Sequence, residues 1–132
     1  MGNKRMDLRS ANDVLKRQLQ NPELRAHWER TTLARAVALR LVSYRAEQGL
    51  SQSALGRIVG MAQPAIARIE AGERVPTVET LLRLSDGLGI EFLLDIRPAN
   101  GTSSWVTDEA ESAAVVETVT TEKGSRMLVA VN

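Results

Sequence analysis

Between residues 5 and 89 the apolar positions recur at three- and four-residue steps, and that spacing predicts a run of short helices. Leu8, Val14, Leu15 and Leu19 are the apolar positions of a helix over 5–20. Asn21-Pro22-Glu23 is the chemistry of a helix start: an N-cap, a proline at the first helical position and an acidic first turn. From there the pattern is helical to about Gln48, with a candidate break at Thr31-Thr32, and Leu33, Val37, Leu41 and Tyr44 mark the face expected to be buried. Gly49 suits the stop, because glycine accepts the left-handed conformation that closes a helix. Ser51 is the N-cap of a helix ending near Val59, and Gly60-Met61-Ala62 is a tight connection. Another segment runs from Gln63 to Ala71 with Ile66 and Ile69 inward. Thr77 caps a further helix, which carries Leu81, Leu84 and Leu88 and stops at Gly89.

The period then changes to two. Ile90, Phe92, Leu94 and Ile96 alternate with Glu91, Leu93, Asp95 and Arg97, as in a strand. Pro98 to Ser104 has the composition of a linker. Beyond it, Asp108–Ala114 reads as a helical turn. The valine- and threonine-rich segments 115–121 and 126–131, separated by Glu122-Lys123-Gly124-Ser125, read as a β-hairpin. Three regions follow: an N-terminal helical extension over 1–30, a helical core with a terminal strand over 31–97, and a linker with a hairpin tail over 98–132.

Composition narrows the function classes. The 132 residues are 43% hydrophobic, enough for a real core, and no run approaches the roughly 18 apolar residues of a membrane span. The opening residues lack the apolar stretch of a secretory signal, so a cytoplasmic protein is expected. There is no cysteine and one histidine, His27. Disulfides, cysteine nucleophiles and cysteine metal sites are thereby excluded, no cofactor or metal is expected, and no catalytic constellation is visible. The net charge is only +1, but residues 1–97 hold 15 Lys/Arg against 11 Asp/Glu and residues 98–132 hold 2 against 5. The basic block is mostly arginine, whose rigid fork matches phosphate.

The informative stretch is 50–72, LSQSALGRIVGMAQPAIARIEAG. Two short helices joined by about three residues must cross steeply, so the residue nearest the crossing has to be small; Gly56 is. Ile66 and Ile69 anchor the inner face of the second helix. Gln63 with Ala67, and Pro64 with Arg68, are i, i+4 pairs on the outer face. Such a narrow polar face fits a major groove. Gln63 has the donor and acceptor that grip adenine, and Arg68 reaches guanine or phosphate. Arg57 and Arg74 divide between phosphate contacts and ordinary surface charge.

With Gly49-Leu50-Ser51-Gln52, Leu55, Gly60, Gln63, Ile66, Ile69-Glu70-Ala71-Gly72, Pro76-Thr77 and Leu88-Gly89-Ile90 in register, residues 31–90 resemble the Cro/Xre helix-turn-helix family of phage repressors and small bacterial regulators. The resemblance implies a mainly α fold, a five-helix lambda-repressor-like domain here extended by N-terminal helix and a small C-terminal β appendage. It implies that Ser51 and Gln52 open the second helix, that Gln52 bonds a phosphate, and that Gln63 and Arg68 face base edges. It also implies that Arg45 and Glu70 form a structural salt bridge between the first and third helices. Two departures stand out: Ala62 replaces the usual Ser or Thr cap, and Pro64 cannot read a base.

The flanks, LKRQLQNPELRAHWER and LGIEFLLDI, are similar to those of HigA-type antitoxins, which bind a RelE-like ribonuclease toxin and repress their own operon. That resemblance implies double-stranded operator DNA, a homodimer on half-sites roughly 34 Å apart and a RelE-like toxin as partners, with no membrane. Trp28, Ile90, Phe92 and Leu94 are the candidate partner or dimer contacts. A stand-alone Xre repressor shares the same core, and an interaction module that has lost its readout is the third alternative.

Overall fold

A computed structural model describes residues 8–101 and 113–132. The expected helical turn at 108–114 lies almost wholly outside them. The chain divides into two compact units, 1–30 and 31–132. The first holds helices α1 (Leu8–Gln18) and α2 (Pro22–Arg30). The start of α2 is the one read from the sequence: Asn21 Oδ1 accepts from the Glu23 backbone N–H at 3.0 Å. Arg25 and Glu29 pair one turn apart on its surface.

The second unit holds α3 (Thr32–Gln48), α4 (Gln52–Val59), α5 (Gln63–Ala71), α6 (Val78–Leu88) and strands β1 (Phe92–Arg97), β2 (Val115–Thr120) and β3 (Arg126–Val131). The helical core of this unit is α3 to α6, and β1 follows where the period-two segment predicts a strand. The long helical pattern breaks at Thr31, and the helices start and stop where the punctuation put them. Ser51 Oγ accepts from Ala54 N–H at 3.0 Å and Thr77 Oγ1 from Thr80 N–H at 3.1 Å, each satisfying a helix-start donor that would otherwise be orphaned.

Leu41, Val37, Leu55, Ile66 and Leu84 are fully buried and form the centre of the core. Tyr44 and Leu33 sit at its margin. α3 buries more of its circumference than the predicted stripe, because Ala34, Ala36 and Ala38 are buried as well. It packs on α5 on one side and on β2 and β3 on another. The alanines allow the close approach: a Cβ at Gly72, the α5 stop, would lie 3.7 Å from Ala38 Cβ.

The C-terminal strands form one three-stranded sheet. Its order is β1-β3-β2, both pairs antiparallel, with Phe92 opposite Val131, Val131 opposite Val115, and Arg97 opposite Arg126. The hairpin read at 115–131 is present, but β3 is the central strand, and Val129 (1% exposed) and Val131 (0%) belong to the core beside Leu41. Residues 113–132 belong to the same compact unit as the helices, which runs from Thr31 to Asn132. Local periodicity identified the strands; it carries no information on which strand pairs with which.

A chain ended at Arg97 loses β2 and β3. Each buried valine is worth about 1.5–3 kcal/mol, so the loss of Val129 and Val131 alone removes about 3–6 kcal/mol, a large part of the roughly 5–15 kcal/mol that stabilises a domain. Thermal unfolding followed by circular dichroism should show the truncated chain melting far below the full chain or without a cooperative transition; an unchanged midpoint would contradict the core role of β3.

Candidate nucleic-acid interface

The α4–α5 crossing is set by what position 56 lacks. Gly60 takes a left-handed backbone (φ +71°) and turns the chain back, so that Met61 N–H donates to Gly56 O at 2.8 Å. A Cβ on Gly56 would lie 2.4 Å from Met61 O and 3.5 Å from Ile66 Cγ1, so no side chain fits without moving backbone. A second close approach was not legible beforehand. A Cβ at Gly87 on α6 would meet Val59 Cγ1 at 2.9 Å and Ile58 O at 3.2 Å, so α6 presses on α4 through a glycine that carries no turn.

This packing presents α5 as expected. Ile66 is fully buried and Ile69 partly so, while Gln63, Pro64 and Arg68 are exposed and Ala67 is half-buried among them. Ala62 makes no side-chain cap. Ser51 and Arg57 are exposed on α4, and Arg74 on the α5–α6 loop. Among the described residues, Arg57, Arg68 and Arg74 take part in no ion pair. Arg83 on α6, which the sequence pattern does not single out, donates to Gly60 O at 3.3 Å and to Glu79 at the same distance, which places another guanidinium against the α4–α5 turn.

Behind this face runs a continuous chain of hydrogen bonds. Arg45 on α3 grips Glu70 on α5 with two parallel bonds, Nε to Oε1 at 2.5 Å and Nη2 to Oε2 at 2.9 Å. Its remaining nitrogen, Nη1, donates to Leu50 O at 3.1 Å, so one guanidinium ties α3, the α3–α4 loop and α5 together. Gln52 Nε2, at the start of α4, donates to Glu70 Oε2 at 2.8 Å, and Gln63 Nε2 donates to Gln52 Oε1 at 2.7 Å. The implied salt bridge is therefore present, and it also fixes Gln52, which fixes Gln63. The sequence placed all four residues but did not show that they form one chain, because Gln52 and Gln63 meet only once the helices cross. The Arg45 bonds hold the Glu70 carboxyl below the usual carboxylate range, helped by Gln52, against the opposing effect of burial.

The dimer candidates are divided by their burial. Phe92 is half-buried at the margin of the core and Leu94 is 49% exposed. Ile90 is 2% exposed and packs inside its own chain, which withdraws it as a partner contact; Ile96, at 67%, is the exposed residue of that strand. Trp28, on α2, is half-buried.

With a depressed Glu70 pKa, its stabilising effect is complete above the unfolded carboxyl value, about 4.3. It is lost as pH falls through the lower folded value. Glu70→Gln should therefore melt below the parent at neutral pH, and the gap should close as pH falls below about 4. A gap that stays constant across a pH series would show that the charge of Glu70 contributes nothing.

The Helix-turn-helix family model matches residues 41–94, which takes in the second half of α3, all of α4 to α6 and the start of β1. The chain is 32% identical over 84 residues to the HTH-type transcriptional regulator SutR of Escherichia coli (strain K12), covering 64% of this chain and 47% of that protein. It is 44% identical over 54 residues to an uncharacterized HTH-type transcriptional regulator of Haemophilus influenzae, covering 41% and 55%. The chain thus spans about half the length of the curated relatives it matches. No solved structure matches it. Residues 41–94 are a helix-turn-helix domain, and through it the chain is related to HTH-type transcriptional regulators.

Proposed function

We propose that this protein is a sequence-specific regulator of transcription that reads double-stranded operator DNA as a homodimer and serves as the autorepressing antitoxin of a toxin–antitoxin pair. The observation that carries the DNA reading is the prepositioned Gln63. Its amide is held by Gln52, yet its Oε1 and second N–H remain for a base edge, the pair that adenine requires. Arg68 lies on the same exposed face, for guanine or phosphate. Gln52, Ser51, Arg57 and Arg74 flank it for the backbone, where contacts set register and carry no base information. Similarity to HTH-type transcriptional regulators supports this reading. The antitoxin role rests on the resemblance of the flanks to HigA-type proteins. Exposed Leu94 supports a protein contact beyond DNA.

Gel shifts on a duplex from upstream of its own gene, against a scrambled duplex, test the readout. Gln63→Ala and Arg68→Ala should each weaken specific binding by about 1–3 kcal/mol and leave the circular dichroism spectrum unchanged. Because Gln52 orients Gln63, Gln52→Ala should cost discrimination as well as affinity. An unchanged shift in the Gln63/Arg68 double variant refutes the readout. For the toxin, co-expression with a RelE-like neighbouring gene should restore growth, and failure of the full chain to do so leaves a regulator without that partner.

A further inference from the structure

The outer edge of β1 carries backbone groups that nothing in the sheet uses. Glu91 exchanges both backbone hydrogen bonds with Asn132, 3.0 Å each way. Antiparallel ladders alternate, so in the observed register the odd-numbered residues of β1 aim their N–H and C=O groups at β3, whereas Phe92, Leu94 and Ile96 aim theirs outward. Among the described residues no strand takes them up. The apolar side chains of the same strand are under-used as well. Leu94 and Ile96 share the face of Phe92, yet they are 49% and 67% exposed. An exposed, apolar edge is a template for another strand.

We propose that β1 pairs antiparallel with β1 of a second copy of this chain, across a twofold axis at Leu94, to give one continuous sheet of order β2-β3-β1-β1-β3-β2. Among the registers centred within residues 93–96, three are disfavoured. Odd offsets bring the outward groups of one strand against the inward groups of the other and form no ladder. A pairing centred on Asp95 sets that carboxylate against its own copy, and one centred on Leu93 sets Asp95 against Glu91; like charges directly opposed are destabilising. Centring on Ile96 places Leu94 opposite Pro98, which has no N–H to donate. The axis at Leu94 avoids all three. Leu94 meets Leu94, Phe92 meets Ile96, every outward N–H and C=O of 92, 94 and 96 finds its mate, and Glu91 lies opposite Arg97. The edge is complementary to itself in hydrogen bonds, apolar surface and charge, and this selects a second copy as occupant over a chain of different sequence. An axis normal to the sheet keeps both helical cores on the same side of it. The inference rests on the homodimer reading above and not on DNA binding.

The test is the solution mass of the full chain without DNA, by light scattering at tens of micromolar, so its outcome is separate from that of the gel shifts. The parent should run as two chains. Of the backbone donors Leu94→Pro removes only an outward N–H, a place where edge strands tolerate proline, and together with loss of the Leu94 side chain it should give one chain with the helical spectrum unchanged. The protein has no cysteine, so single cysteines report the register. Under oxidation Leu94→Cys should form a covalent dimer, since opposed hydrogen-bonded residues have Cα atoms about 5.5 Å apart, within disulfide reach. Ile96→Cys should not, since the two copies of that residue lie four positions apart, about 13 Å. A parent of single-chain mass, a Leu94→Pro variant that remains dimeric, or equal cross-linking by both cysteines overturns the proposal. Should the proline variant fail to fold, the cysteine pair still decides.

Discussion

The arrangement depends on a side chain that is absent. With hydrogen at position 56, the turn at Gly60 can lay the Met61 carbonyl against α4, and α5 can cross close above it. Only at that separation do Gln52 and Gln63, eleven residues apart in the chain, come within 2.7 Å of each other. The polar chain behind the exposed face of α5 then assembles without further constraint. Arg45 reaches from α3 to Glu70, Glu70 accepts from Gln52, and Gln52 accepts from Gln63. A glycine in the middle of a short helix weakens that helix by roughly 0.5–1 kcal/mol relative to alanine. Here that cost is offset by contacts that no larger residue would permit.

In the proposed reading the hydrogen-bonded chain joins stability and recognition in one set of atoms. Glu70 touches no ligand in the proposed reading, yet it is the anchor from which Gln63 is ultimately aimed. Its carboxylate is satisfied on both oxygens by charge-assisted or amide donors, as a mostly buried acid requires. A side chain fixed before contact loses less freedom on binding, so under that reading the rigidity of the core contributes to affinity through preorganisation.

How much of this was legible in the sequence depended on whether the information was local. Helix boundaries were, because Ser51, Thr77, Pro22 and the stop glycines act within one turn of themselves. The division of α5 into an inner face at Ile66 and Ile69 and an outer face at Gln63 and Arg68 was also legible, since 3.6-residue periodicity encodes it directly. Pairing between distant segments was not. The valines at 129 and 131 announced a strand, but nothing in their neighbourhood said that the strand would enter between β1 and β2. The full burial of α3 was missed for a related reason: Ala34, Ala36 and Ala38 look neutral in a hydrophobic pattern and matter only when two surfaces close on the same helix. Gly87 escaped because a glycine that permits contact leaves no mark that distinguishes it from one that permits a turn.

The sheet order also bears on how the molecule is made. β1 and β2 leave the ribosome first, yet neither has its neighbour until residues 126–131 follow, because the strand between them is the later one. During that interval the side of α3 that β2 and β3 will cover faces water, and the helices carry an unfinished core. Synthesis therefore bears on completeness: a product halted before Met127 leaves the apolar side of α3 uncovered, whereas a chain translated through Val131 can close over it.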